Sequence, residues 1–283
     1  MLTGTTVLNR GIVAQLESQT DQLVQTSGRL REEVRALQTE SDRWSRFGEE
    51  VMEYVIDGRL AGTEAVLITQ EGTDTAGIDR VRRGLDAAGA QLQAVLSFDE
   101  RLALQTESDV QELTQILGLD EQDPEALSEA TAGVLADRLA FGGRGEDVLD
   151  QLLSAGFLLS RGPGLDADAL QNLGGSEQVI IVVAGGSGTP TIEPQRLLVP
   201  LVDGLVEKGA LVVAAEALET EYPFVSLLRA DGAVAGLIAT QDNVDQLPGE
   251  MGFVLALEDL VIERRPGHYG VKEGADRLLP SAT

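Results

Sequence analysis

The stretch VAQLESQTDQLVQTSGRLREEVRAL, residues 13–37, carries apolar side chains at heptad spacing. Leucine occupies every d position, and valine, threonine or serine occupies every a position. This two-position stripe is narrower than the apolar face of a helix in a globular core and is typical of a coiled coil. We therefore predict a homodimeric coiled coil whose interface residues are Val13, Leu16, Leu23, Leu30, Val34 and Leu37. Two alternatives stay open: an amphipathic helix folded back on its own domain, and an antiparallel rather than a parallel coil.

The seam belongs to a longer helix, which we predict over residues 9–57 and which Gly58 and Gly62 should end. Bulky apolar residues follow the seam between Trp44 and Val55, and we expect them to pack on a globular domain. The predicted parts of the chain are a remnant after a removed membrane anchor, residues 1–8; a coiled-coil helix, residues 9–60; and a head, residues 61–283. The head is expected to contain two βαβ-like halves and an exposed tail, which are residues 61–160, 161–263 and 264–283.

Short continuous apolar runs alternate with helical patterns in the head. Buried parallel strands have this uniform composition, because helices cover both faces of their sheet. The alternation predicts an α/β head with a Rossmann-like, mostly parallel sheet and flanking helices. Asp123 followed by Pro124 predicts a helix start. The predicted strands are residues 65–69, 92–98, 179–183, 211–215 and 236–239, and the predicted helices include residues 148–159, 193–208, 224–228 and 253–262.

The charge of the chain is concentrated in the head. The 283 residues carry a formal charge of −26. Residues 9–60 contain 10 acidic and 7 basic side chains, whereas residues 61–283 contain 37 and 14. A field of this sign repels nucleic acid and anionic lipid headgroups. We therefore expect no nucleic-acid partner, and we interpret the acidity as a solvated surface.

The sequence is poor in residues that carry catalysis or bind soft metals. It contains no cysteine, one histidine and three methionines. It therefore has no disulfide, no thiolate metal site and no cysteine nucleophile. The single histidine, His268, lies in the predicted tail, where nothing holds an imidazole in place as a catalytic base. We expect no catalytic residue, no cofactor and no bound metal, and we interpret the protein as non-enzymatic.

Two turns could bind ligands but have ordinary structural interpretations. Gly185-Gly-Ser-Gly188 follows a strand, where backbone N–H groups can receive a phosphate. Glu216 ends the next strand, where dinucleotide-binding folds place the acid that holds a ribose. The spacing is not G-x-G-x-x-G, however, so we favour an ordinary strand-to-helix turn. Asp242-Asn-Val-Asp245 fits either a turn or a site for a hard cation, and we favour the turn.

Several segments resemble those of a known family and follow in the same order. They are LTGTTVL at 2–8, VLIT at 66–69, VRRGLDAAG at 81–89, ATQDNVD at 239–245, VLAL at 254–257 and GHYG at 267–270. Together they resemble the actinobacterial MctB family, catalogued as copper transport or outer-membrane proteins, which includes the cell-division protein SteB. Members of this family carry a hydrophobic helix before the coil. The resemblance implies one N-terminal anchor in the cell membrane, replaced here by Met1, with the rest of the chain extracytoplasmic.

The resemblance implies two functions. One is copper efflux or copper homeostasis in the envelope. The other is that of SteB, which works with the membrane protein SteA to regulate a peptidoglycan hydrolase at cell separation. Copper(I) prefers sulfur ligands and copper(II) prefers imidazole, and this sequence holds few of either. We therefore expect a coiled-coil scaffold in cell division, with copper handling as the alternative.

Overall fold

This computed structural model describes residues 4–143, 147–161, 165 and 167–281. Within these ranges, side chains are described for Gln19 and from Gln22 onward, except Ala167. The chain divides into two compact units, Met1–Val51 and Met52–Thr283. The described part of the first unit is helical, and the second unit contains a β-sheet.

One long helix, α1 (Gly4–Ile56), runs through the first unit and ends in the second. It contains no proline, and it is rich in glutamine, glutamate and arginine, which lose little side-chain freedom in a helix. Gly58 adopts a φ of 69°, a left-handed conformation that a helix cannot continue, so the predicted end of the helix is confirmed. Ile56, in the last turn, is fully buried together with Leu60 in the core of the second unit.

The second unit is built on a seven-stranded sheet with the strand order 3-2-1-4-5-6-7. Its strands are β1 (Glu64–Gln70), β2 (Gln91–Phe98), β3 (Leu158–Ser160), β4 (Gln178–Ala184), β5 (Leu211–Glu216), β6 (Ala239–Gln241) and β7 (Gly267–Tyr269). All neighbouring strands are parallel except β2 and β3, which are antiparallel. The order of the first six strands is that of dinucleotide-binding folds. The predicted Rossmann-like, mostly parallel sheet is therefore confirmed.

Further helices flank this sheet. In the described ranges they are α2 (Thr75–Ala87), α3 (Glu107–Leu117), α4 (Pro124–Phe141), α5 (Val148–Ala155), α6 (Ala167–Gln171), α7 (Leu198–Glu207), α8 (Val225–Ala230) and α9 (Leu247–Glu263). The carboxylate of Asp123 accepts the N–H of Ala126 at 3.0 Å and caps α4. The helix start predicted at Asp123-Pro124 is therefore confirmed.

Successive residues of each central strand enter two different apolar layers. In β4, Ile180 and Val182 belong to the layer that contains residues of α3, α4, α5, α7 and α8. Ile181 and Val183 belong to the opposite layer, with residues of α2, α9 and the last turn of α1. Because both faces are covered, all seven residues of β4 are buried. This explains why the central strands read as continuous apolar runs.

Two predicted elements differ from those of the structure. The helix predicted over residues 148–159 ends at Ala155, because Gly156 adopts a left-handed φ of 77°. The apolar residues that follow it form the edge strand β3 instead. The strand predicted at residues 236–239 begins only at Ala239, because a bond from Ala235 N–H to the Asp231 carbonyl holds the preceding residues in turns. An apolar run alone does not fix where extended backbone starts.

The end of the chain also differs from the prediction. Helix α9 begins at Leu247, six residues earlier than expected, and the helix predicted over 193–208 is interrupted at Leu197 between a 3₁₀ turn and α7. The prediction of an exposed tail from Arg264 onward is wrong, since β7 pairs with β6 and Tyr269 is buried. Polar contacts, described below, hold this C-terminal segment in place, so it needs no apolar run in its sequence.

Candidate functional site

The seam of α1 is exposed in the first unit. The exposed fractions of Leu23, Leu30, Val34 and Leu37 are 70, 51, 50 and 60%. The side chains of Val13 and Leu16 lie outside the described residues. A partner helix in a two-stranded coil covers residues at such positions. The described part of the seam is therefore a face that a second helix can cover, and the dimer interface stays a prediction.

An aromatic pair continues this exposed face. The ring centroids of Trp44 and Phe47 lie 5.9 Å apart with an interplanar angle of 86°. Both side chains are exposed, and so is that of Tyr54. The prediction that the bulky residues at this end of the helix pack on a globular domain is therefore wrong for these three. Val55 and Ile56, which belong to the second unit, do pack in its core.

Two buried ion pairs lie at the carboxyl ends of β5 and β6, the edge at which open α/β sheets bind ligands. Arg229 Nη1 lies 2.7 Å from Asp242 Oδ2, and Lys272 Nζ lies 2.8 Å from Glu216 Oε1. Both carboxylates are fully buried. We call these four residues the buried ionic cluster. A buried charge is tolerated only when it is paired and hydrogen-bonded. The two carboxylates of the cluster therefore require their basic partners.

Backbone groups complete the hydrogen bonding of the cluster. Asp242 accepts the N–H groups of Val271 at 2.8 Å and Lys272 at 3.1 Å. Glu216 Oε2 accepts the N–H groups of Phe224 at 2.7 Å and Val225 at 3.0 Å. Glu216 is therefore occupied by the protein itself and presents no free oxygen to a ribose.

The turn after β6 matches the interpretation favoured from its sequence. Gln246 N–H donates to the Asn243 carbonyl at 3.0 Å and closes a turn. Asp245 Oδ1 accepts the N–H of Leu218 at 2.6 Å. In the described ranges, no three His, Cys, Asp or Glu side chains are grouped in a way that could hold a metal ion. The acidic residues of this turn therefore have structural partners within the protein.

The crevice between β1 and β4, where this strand order places a dinucleotide, is filled by the protein. Gly186 N–H donates to Thr220 Oγ1 at 2.8 Å, and the Tyr222 hydroxyl donates to the Gly72 carbonyl at 2.7 Å. A β-carbon at position 186 would overlap the same carbonyl oxygen, so only glycine allows the two loops to approach this closely. Burial raises the pKa of Tyr222, which keeps its hydroxyl protonated as a donor. Gly185 and Gly186 therefore serve close packing, whereas Gly188 has open space around it and adopts a left-handed φ of 89°.

His268 lies in β7 and is half-buried. Its Nδ1 lies 3.0 Å from the hydroxyl of Thr240, which also accepts Arg229 Nε at 2.9 Å. Burial and, next, the charge of Arg229 lower the pKa of His268, while Asp276 opposes them. Local sequence does not indicate the buried ionic cluster, because Arg229 and Lys272 are isolated basic residues that only the folded chain brings to Asp242 and Glu216.

Comparison with known proteins agrees with the resemblance of the separate segments. A family model described as "Copper transport outer membrane protein, MctB" matches residues 1–280. Proteins named "Copper transporter MctB" from Mycobacterium bovis and from Mycobacterium tuberculosis H37Rv are each 25% identical over 228 residues, 78% of this chain and 65% of the relative. The protein of that name from Mycobacterium leprae is 30% identical over 109 residues, 37% of this chain and 34% of the relative.

The matched regions thus span between one third and just under two thirds of the length of these relatives. Among the described residues, no helix is both long and apolar enough to cross a membrane. The family model, in contrast, covers almost the whole chain. The family predicted from the separate segments is confirmed, and the chain belongs to the MctB family.

Proposed function

We propose that this protein is a non-enzymatic scaffold of the cell envelope, which associates with a second copy of itself through the seam of α1. One observation carries the proposal. Leu23, Leu30 and Leu37 repeat at seven-residue spacing on a helix and are each more than half exposed. Apolar surface in water costs about 25 cal/mol per Å², and a second seam would remove that cost for both helices.

The distribution of charge supports a second copy as the occupant of the seam. Residues 9–60 contain 10 acidic and 7 basic side chains, whereas residues 61–283 contain 37 and 14. Two identical chains that met through their heads would bring two strongly negative surfaces together. Two chains that meet through α1 bring together nearly balanced segments. Self-association through the helix is therefore the least opposed by the charge of the protein.

The closed crevice supports a head without catalytic function. Tyr222 and Thr220 occupy the place at which this strand order binds dinucleotides, and Glu216 is bonded to Lys272 and to two backbone N–H groups. A substrate would have to displace these contacts. The head then serves as a rigid body that the coil presents to other proteins.

The wider role that we propose rests on the family resemblance. It comprises a single N-terminal anchor in the cell membrane and an extracytoplasmic head. It also comprises action with a SteA-like membrane protein and a peptidoglycan hydrolase in cell division and separation. A self-associating coil with an acidic head suits a protein that recruits partners, because neither part needs to change a substrate.

The seam can be tested with the double substitution of Leu23 and Leu30 by Asp. The wild-type chain should have twice the mass of 30.0 kDa in light scattering, and the variant should have that mass once. A buried leucine contributes about 1.5–3 kcal/mol, and a coil would lose four of them and gain four buried charges. The measurement should cover protein concentrations of about 1–100 µM, because dimer stability depends on concentration.

A matched control places the same two charges elsewhere on the helix. Gln25→Asp with Thr39→Asp adds two carboxylates at exposed f positions of the heptad repeat and should leave the dimer intact. Circular dichroism should show that both variants keep a folded head. A monomeric wild type, or a dimeric Leu23/Leu30 variant, would contradict the proposed interface.

Copper handling is the second candidate, because the family model and the curated relatives carry copper transport in their names. The sequence offers one histidine, three methionines and no cysteine as copper ligands. We expect no stoichiometric binding with a dissociation constant below about 1 µM when copper is titrated into the full chain by calorimetry. Tight binding that disappears in His268→Gln would favour copper handling over the scaffold.

A further inference from the structure

The C-terminal segment 267–277 closes one edge of the sheet, and we call it the C-terminal strap. Its first residues form β7, which pairs with β6 on one side only. On the other side, the strap folds back along itself: Asp276 N–H donates to the His268 carbonyl at 2.8 Å, and Gly270 N–H donates to the Arg277 carbonyl at 3.0 Å. A strand with three residues has few ladder bonds, so side-chain contacts decide whether the strap stays attached.

The hydroxyl group of Thr240 makes one of the side-chain contacts between the strap and β6. Thr240 Oγ1 is fully buried, lies 3.0 Å from His268 Nδ1, and accepts Arg229 Nε at 2.9 Å. Arginine can only donate, so the hydroxyl keeps its single hydrogen free for the imidazole, and both groups are satisfied when Thr240 donates to His268. His268 Nδ1 is then the acceptor, which assigns the neutral imidazole with its proton on Nε2. A second proton on the ring would place two donors at this oxygen and would remove the imidazole acceptor of the hydroxyl hydrogen.

Arg229 cannot move away from an added charge. Its guanidinium donates to Asp242 Oδ2 at 2.7 Å, to the Tyr269 carbonyl at 2.8 Å and to the Glu273 carbonyl at 3.3 Å. The side chain is 4% exposed, so little water screens it. An imidazolium at position 268 would therefore stand beside a fixed positive charge.

The other groups that face His268 do not reverse the preference for a neutral imidazole. Strand β6 contributes the uncharged Thr240, and α8 contributes Arg229. The strap contributes Asp276, an exposed residue whose Oδ2 accepts the backbone N–H of His268 at 3.1 Å. Burial and Arg229 lower the pKa of His268, and Asp276 raises it less. The neutral form is the one that the attached strap prefers.

We propose that His268 is a proton-sensitive latch, whose protonation loosens the C-terminal strap from β6. A released strap exposes the imidazole to water, where its ordinary pKa is about 6.5. The released state therefore takes up a proton more readily than the attached state. Attachment is strongest above that pH and weakens as the pH falls through the ordinary range of histidine.

Hydrogen exchange measured by mass spectrometry at about pH 7.5 and about pH 5.5 tests this latch, after correction for intrinsic exchange rates. The ordinary pKa alone bounds the change: the opening constant of peptides within 267–277 should rise several-fold and by at most about tenfold. Peptides from β4 should show no such rise. In His268→Gln, which cannot take up a proton, the rise should disappear. An equal response in both proteins, or none in the wild type, would overturn the proposal.

A second measurement does not depend on the variant. The chain has one histidine, so histidine-selective labelling gives a single imidazole resonance in NMR. Its titration midpoint in the folded wild type should lie below the ordinary value of about 6.5. A midpoint at or above that value would overturn the latch, even if His268→Gln did not fold.

Discussion

The buried ionic cluster yields a quantitative prediction for Asp242→Asn. The carboxylate is fully buried, and its partner Arg229 is 4% exposed. Asparagine keeps the shape of the side chain but leaves a buried guanidinium without a counter-charge. It also turns an NH₂ group toward the donors that the carboxylate accepts, among them the N–H groups of Val271 and Lys272. Breaking one partner of a buried pair costs about 3–5 kcal/mol.

Urea unfolding followed by far-ultraviolet circular dichroism would measure this cost. With a slope of about 2–3 kcal/mol per M, a loss of about 3–5 kcal/mol lowers the unfolding midpoint by about 1–2.5 M. The matched control is Asp137→Asn, which breaks the 3.4 Å pair with Lys208 at a carboxylate whose side chain is 63% exposed. An exposed pair contributes about 0–1 kcal/mol, so this midpoint should move by no more than about 0.5 M.

The comparison of the two variants shows whether the buried Arg229–Asp242 pair contributes more stability than an exposed pair. If Asp242→Asn lowers the midpoint no more than Asp137→Asn, the buried pair does not hold the strap, and the reasoning from burial and charge fails. Replacing Arg229 by methionine together with Asp242→Leu should recover only part of the stability. The backbone N–H groups of Val271 and Lys272 lose their acceptor in that variant as well.

Two glycine substitutions should act in opposite directions. Gly186→Ala should destabilise the second unit by about 1–3 kcal/mol, because its methyl group would overlap the Gly72 carbonyl oxygen and lie 2.7 Å from the Tyr222 hydroxyl; an unchanged melting temperature would contradict this close packing. Gly133→Ala, within α4 and with open space around its Cα, should raise the stability by about 0.5–1 kcal/mol; thermal melting that shows a loss would contradict it.

The central part of the fold follows from local sequence. Strand β4 and its neighbours were predicted because a sheet covered on both faces demands apolar residues at every position. The start of α4 was predicted because an aspartate before a proline satisfies the first helical N–H groups. In each case the information lies within a few residues of the element.

The edge of the sheet and the buried ionic cluster could not be predicted in this way. Strand β7 carries histidine and glycine, and its stability depends on Arg229 and Asp242, which lie about 25 to 40 positions earlier in the chain. Glu216 was recognised as a residue at the end of a strand, but its partner Lys272 lies 56 positions away. The exposure of Trp44 could not be predicted either. An apolar side chain at helical spacing indicates a contact, but it does not indicate whether the contact is with the same chain or with another one.

The position of Trp44 allows the first unit to be followed on its own by tryptophan fluorescence. It is the one tryptophan of the chain, it lies in the first unit, and its side chain is 66% exposed. Indole fluorescence therefore reports on the long helix and contains no contribution from the second unit. As a residue on the line of the seam, it should emit at shorter wavelength once another chain shields it from water, so a dilution series can follow encounter between copies without any attached dye.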